Sequence, residues 1–137
     1  MSHAQSFAHA PSIRRGRSGV IALWVVQIAL AGMFLLAGGS KLLGPPAMVA
    51  LFNTIGIGQW FRYVTGFIEV GAAFALFVPS IAVYGALALV PTMIGAVATE
   101  LFIAGGSPVP PAILLLGAVG VVWARRRQLL SARRIAI

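Results

Sequence analysis

Four apolar runs of bilayer length follow one another along the chain, and this pattern leaves few folds open. A spanning helix needs about 20 predominantly apolar residues, because the hydrocarbon layer is about 30 Å thick. The runs predict spans at 19–42, 60–78, 81–104 and 110–124. Gly44-Pro45-Pro46, Pro79-Ser80 and Gly105-Gly106-Ser107-Pro108 separate them, since proline cannot continue the helical hydrogen-bond ladder. Residues 47–58 are too few to cross. Met48, Leu51, Phe52 and Ile55 recur there at spacings of 3 or 4, with Asn53 and Thr54 between them. That pattern after a proline predicts a short amphipathic helix lying at the interface. The expected fold is therefore all-α: a four-transmembrane-helix bundle over 19–127, with a short interfacial helix between the first and second spans. Residues 1–18 and 128–137 are expected to be basic cytoplasmic tails, the first of them disordered.

Composition decides the solvent. Of 137 residues, 60% are hydrophobic and 9% charged, against about 45–50% and about 25% in soluble domains. Such a chain cannot cover a water-facing surface, which excludes a soluble enzyme domain. The formal net charge of +8 raises the question of nucleic acid, but the positions argue for topology. Arg14, Arg15 and Arg17 precede the first run; Arg125, Arg126, Arg127, Arg133 and Arg134 follow the last. Basic flanks are retained on the cytoplasmic side, and an even number of spans brings both clusters to one side. A plasma or inner membrane location with both termini cytoplasmic is expected, with no nucleic-acid partner. Trp24, Tyr84 and Trp123 then lie near the inner surface, and Trp60, Phe61 and Tyr63 near the outer one, as interfacial belts. A cleavable signal peptide ending near Ala37-Gly38-Gly39-Ser40 is the rival reading of the first run. Its apolar core is longer than the usual 7–15 residues or so, so the segment is expected to be retained. The chain has no cysteine, which excludes thiolate chemistry, iron–sulfur ligation and Cys-based zinc sites within it. Both histidines precede the first span, and no metal site is expected.

Four charges break the apolar pattern. Glu69 and Glu100 are the only acidic residues, and Lys41 and Arg62 the only cations between the terminal clusters. An ionised side chain at mid-bilayer costs about 2.5–3.5 kcal/mol on insertion scales, so each is expected to face the bundle interior and find a partner. Lys41 ends the first span and Arg62 begins the second, with Glu69 seven residues deeper. Seven residues are nearly two turns, so Arg62 and Glu69 share a face, with Thr65 and Gly66 between them. All four charges fall in the outer half of the membrane. Gln27, Ala31, Phe34, Gly38 and Lys41 form a matching stripe on the first helix, and Tyr84, Ala88, Thr92, Ala96 and Glu100 an i+4 row on the third. Both are expected to face inward, with a kink at Pro91. The expected polar pocket comprises Lys41, Arg62, Tyr63, Thr65, Glu69, Glu100 and Gln27.

Gly38-Gly39-Ser40-Lys41-Leu42 at the end of the first span, and Tyr63-Val64-Thr65-Gly66-Phe67-Ile68-Glu69 opening the second, resemble the DoxX-like family of small four-helix membrane proteins. Val70-Gly71-Ala72-Ala73 and Met93-Ile94-Gly95-Ala96 do so as well, and the similarity covers roughly residues 20–127. The resemblance implies a link to membrane redox complexes, the family's namesake being a small subunit associated with a thiosulfate:quinone oxidoreductase. It carries over only Lys41 and Glu69, as members of a polar core. Nothing in this chain supports transferring the thiosulfate reaction itself.

Three functions compete. The first is a small-ligand binding or accessory subunit of a membrane redox system. Its ligand would be a quinone, whose carbonyls accept hydrogen bonds from Lys41, Arg62 or Tyr63, and redox-complex proteins would be its partners. The second is a structural or assembly protein, its charges joining helices with no ligand. The third is a small proton-coupled transporter, which four spans without an inverted repeat could build only as a homodimer. No nucleophile–base pair, phosphate loop or dinucleotide fingerprint marks the chain as an enzyme by itself.

Overall fold

The computed structural model describes residues 16–135, with side chains to Ala132. The tail expected at 1–18 therefore lies outside the described residues up to residue 15, Arg14 and Arg15 included. Among the described residues, five α-helices run in order: α1 Arg17–Leu43, α2 Pro46–Ile55, α3 Gln59–Phe77, α4 Ala82–Thr99 and α5 Val109–Ile135, with a π-helical turn Glu100–Ala104 extending α4. No strand occurs among the described residues. Four of these elements are long and apolar enough to cross a membrane: Arg17–Leu43, Gln59–Phe77, Ala82–Ala104 and Val109–Ala132. The short helix α2 falls between the first two, as its amphipathic pattern requires.

Local chemistry sets the breaks. Gly44 ends α1 in the left-handed region (φ 66°, ψ 52°), where its N–H donates to the Ser40 carbonyl, and Pro46 opens α2 at a position where a missing N–H costs nothing. The turn between α3 and α4 is short and contains Pro79. Gly105, at φ 67°, closes the π turn through its N–H and the Glu100 carbonyl, 3.0 Å apart.

Helix α1 packs on α3 and α5, and α4 packs on the same two, so the four long helices close into a ring. Neighbours in that ring run antiparallel: Lys41 at the end of α1 meets the start of α3, while Gln27 meets its end. Two ends result, one bearing Lys41, Arg62, α2 and the π turn, the other bearing Arg125 and the α3–α4 turn. The core consists of Leu30, Ala31, Phe34, Ala72, Ala73, Leu76, Ala86, Leu89, Met93, Ala118 and Val121. Lipid is as apolar as these side chains, so association rests on close packing rather than on the hydrophobic effect, which is why so many are small.

The α1 stripe is as expected, with Gln27, Ala31, Phe34 and Gly38 all buried. The α4 row is not. Ala82, Val83, Gly85, Ala86, Leu89 and Met93 form its buried face, while Tyr84 and Ala88 are exposed and the Thr92 hydroxyl donates back to the Ala88 carbonyl at 2.9 Å. Gly85 decides the orientation, since a Cβ there would sit 2.8 Å from the Ala72 carbonyl oxygen. The last helix also differs from the expected span. It does not stop near residue 124 but continues to Ile135, because Arg, Gln, Leu, Ser and Ala are all compatible with a helix and neither glycine nor proline interrupts them.

Candidate functional site

A close approach of two helix backbones builds the site. Gly38 on α1 and Gly66 on α3 face each other, and a Cβ on Gly38 would lie 2.9 Å from the Gly66 carbonyl oxygen. The reverse substitution is equally crowded, 3.1 Å from the Gly38 carbonyl oxygen. Only a hydrogen at both positions lets the backbones meet so closely. One turn onward in each helix, that approach brings Lys41 to Glu69. The Lys41 Nζ donates to both carboxylate oxygens, at 2.8 Å to Oε2 and 3.0 Å to Oε1. Glu69 is 1% exposed and the Lys41 side chain 18%. Glu69 is the eleventh residue of the 19-residue α3, which puts it near the centre of the span. A carboxylate there is tolerable because its charge is matched at contact distance.

Arg62 shares the buried face of α3 with Glu69, as the seven-residue spacing requires, and is 4% exposed. It does not pair with Glu69. Its Nη1 donates to the Lys41 carbonyl and its Nε to the Gln59 Oε1 at 2.7 Å. The last carbonyls of a helix have no partner within it, and in a bilayer an unsatisfied one costs several kcal/mol, on the order of a lost hydrogen bond or more. Arg62 satisfies one of them and places a positive charge at the negative end of the α1 dipole. Gln59 in turn donates to the Val49 carbonyl at 3.0 Å and to the Asn53 Oδ1 at 2.8 Å. A continuous polar chain thus joins interfacial α2 to the ion pair: Asn53, Gln59, Arg62, the Lys41 backbone, the Lys41 ammonium and Glu69.

The remaining expected pocket residues lie elsewhere. Tyr63 is 45% exposed, with the Arg62 guanidinium 4.3 Å above its ring centroid. The Thr65 hydroxyl donates to the carbonyls of Phe61 and Arg62 within its own helix, both at 3.0 Å. Glu100 opens the π turn at the Lys41 end, where its carboxyl group lies over Gly106; among the described residues it makes no ion pair with Lys41 or Arg62. Gln27 is buried at the opposite end, about 21 Å from Lys41 along α1 at about 1.5 Å per residue. Its Nε2 donates to the Leu76 carbonyl at 2.8 Å, and its Oε1 accepts from the Arg125 Nε at 2.7 Å. The expected single pocket thus divides into an ion pair with an arginine cap, a separate Glu100, and a second polar junction around Gln27. The carbonyl of Leu76, near the end of α3, explains why Gln27 is needed there.

The model of the DoxX-like family matches residues 25–124, a stretch that includes both partners of the ion pair and the Gly38–Gly66 crossing. The chain belongs to the DoxX-like family. No curated protein and no solved structure matches it. In this DoxX-like protein, three partners escaped the sequence reading: Gln59, Asn53 and Arg125. Arg125 had a usable signal. It is the first cation after the fourth apolar run, and a long side chain there can reach inward to Gln27, the one strongly polar residue inside the first. Gln59 had none, because its role depends on where α2 folds back. Among the described residues, no group of three or more His, Cys, Asp or Glu could hold a metal ion.

Proposed function

We propose that this DoxX-like protein is a multi-pass accessory subunit of a membrane redox system that holds a small hydrogen-bond acceptor, of quinone type, at the Lys41–Glu69 pair. The observation that carries this reading is the asymmetry of the pair. Glu69 is fully enclosed, while Lys41 keeps 18% of its side chain exposed. An ammonium has three N–H donors, and Glu69 accepts two hydrogen bonds from it. The third donor suits a carbonyl oxygen arriving from the lipid, with Glu69 holding the ammonium in place. Electron transfer would then belong to the ligand and to redox partners outside this chain.

The excess of arginine at the α1-start, α5-end side supports a cytoplasmic location for that end, so the Lys41 end would face outward in a plasma or inner membrane. The test is mass spectrometry of quinones retained after purification in mild detergent. Quinone is expected with the native protein and lost in Lys41→Met, while Tyr63→Phe retains it. Equal retention in Lys41→Met overturns the ligand site.

A structural role without ligand is the second reading, favoured by one observation: both Glu69 oxygens and the Arg62 Nε and Nη1 are bonded within the chain. If that reading is correct, exchanging the charges of Lys41 and Glu69 leaves both assembly and redox activity intact.

A further inference from the structure

The arginine end holds a feature that neither the ion pair nor the cap uses. Helix α5 carries three consecutive arginines where its apolar stretch ends, and two of them lie over indoles. The Arg126 guanidinium lies 4.4 Å above the Trp123 ring centroid, and that of Arg125 lies 5.8 Å above the Trp24 ring centroid on α1. Both are also tied to backbone or amide oxygens. Arg126 donates through Nη1 to the Trp123 carbonyl at 2.7 Å. Arg125 donates through Nε to Gln27 and through Nη1 to the Pro79 carbonyl at 3.3 Å. Gln128, one turn beyond, donates to the same Pro79 carbonyl at 2.7 Å, which fixes this part of α5 against the α3–α4 turn.

Arginines that act only as topology signals need no fixed geometry, because snorkelling side chains can float in the headgroup layer. These are pre-positioned instead. A guanidinium has five N–H donors in a planar fork suited to phosphate oxygens, and of those of Arg126 only the ones on Nη1 are engaged among the described residues. Arg127 is exposed beside it. Below the arginines the surface is apolar: Trp123 is 65% exposed, and Val119 and Leu116 continue the same α5 face toward the bundle centre, also exposed. A phosphate-binding fork above a continuous apolar strip matches an amphiphile with an anionic head and an acyl tail.

We infer that Arg126 and Arg127, with Trp123 beneath them, form a binding site for the headgroup of an anionic phospholipid. Its phosphate would lie on the guanidinium forks, and its acyl chain along Trp123, Val119 and Leu116. Arg125 would contribute charge while holding α5 to α1. The site lies at the opposite end from Lys41 and Glu69, so it stands or fails independently of the proposed ligand there.

The test uses the full chain in detergent, with native mass spectrometry of bound phosphatidylglycerol and phosphatidylcholine supplied in equal amounts. Phosphatidylglycerol is expected to be retained preferentially. Arg126→Gln with Arg127→Gln is expected to reduce that retention by about fivefold per arginine removed. Arg133→Gln with Arg134→Gln removes the same charge further along α5 and is expected to leave it unchanged. Trp123→Leu is expected to weaken retention without changing the charge. Equal retention of the two lipids overturns the inference. So does an equal loss in the two double variants, which marks diffuse attraction, or displacement of the lipid by millimolar inorganic phosphate, which marks an anion site with no use for the acyl chain.

Discussion

Lys41 and Glu69 are joined across two helices whose backbones touch at Gly38 and Gly66, and each half of that arrangement depends on the other. Lys41→Met leaves a carboxylate buried near the middle of a span with no cation. Removing one partner of a buried pair costs about 3–5 kcal/mol, and unfolding in detergent is expected to show a loss of that order. Lys41→Met combined with Glu69→Leu is expected to recover much of it, since an apolar pair of similar volume carries no desolvation cost. Gly38→Ala forces a Cβ against the Gly66 carbonyl, a backbone atom that cannot rotate away. Overpacking of this kind costs about 1–3 kcal/mol, readable as a lowered midpoint in the same unfolding measurement. The ion pair was half legible in the sequence. The cost of charge in oil demands a partner for Glu69, and helical spacing put Lys41 and Arg62 within reach. What spacing could not supply was the choice between them. That depends on the end of α1, whose orphan carbonyl at Lys41 draws Arg62 away.

At the level of elements, polarity and helix length proved to be different quantities. The sequence marks where a run stops being apolar, which for the last one is near residue 124. It does not mark where the helix stops, and α5 runs on to Ile135. The first half of the α4 row failed for a related reason. Tyr84, Ala88, Thr92 and Ala96 satisfy helical periodicity, but so does the row Ala82, Ala86, Leu89 and Met93, and in a helix apolar on every side the buried face is chosen by fit at Gly85. On α1 the stripe was unambiguous because Gln27 and Lys41 marked it. Gln27→Leu is expected to leave the Leu76 carbonyl without its donor and Arg125 without the Gln27 acceptor. An unsatisfied buried polar group costs about 1–3 kcal/mol, and hydrogen exchange is expected to rise at the end of α3 before it rises elsewhere.

For the whole molecule, the ring of four long antiparallel helices places the start of α1 and the end of α5 together, with α2 and the π turn at the far side. The absence of cysteine from the sequence makes any introduced thiol a unique reporter. Ser131→Cys is expected to react with a membrane-impermeant maleimide only after the cells are opened, and Ile57→Cys in intact cells. Labelling of Ser131→Cys from outside reverses the orientation. Helix α1 is fastened twice, at Gln27 and at Lys41, on a single stripe about 21 Å long at about 1.5 Å per residue. A beam pinned at two points along one edge resists both sliding and torsion, since either motion must break both fastenings together. No described side chain of α4 bonds across to another helix. Helix α4 is keyed by shape alone, through Gly85 against the Ala72 carbonyl and its packing on α3 and α5, so α1 is the long helix whose register is set by charge and polar bonds.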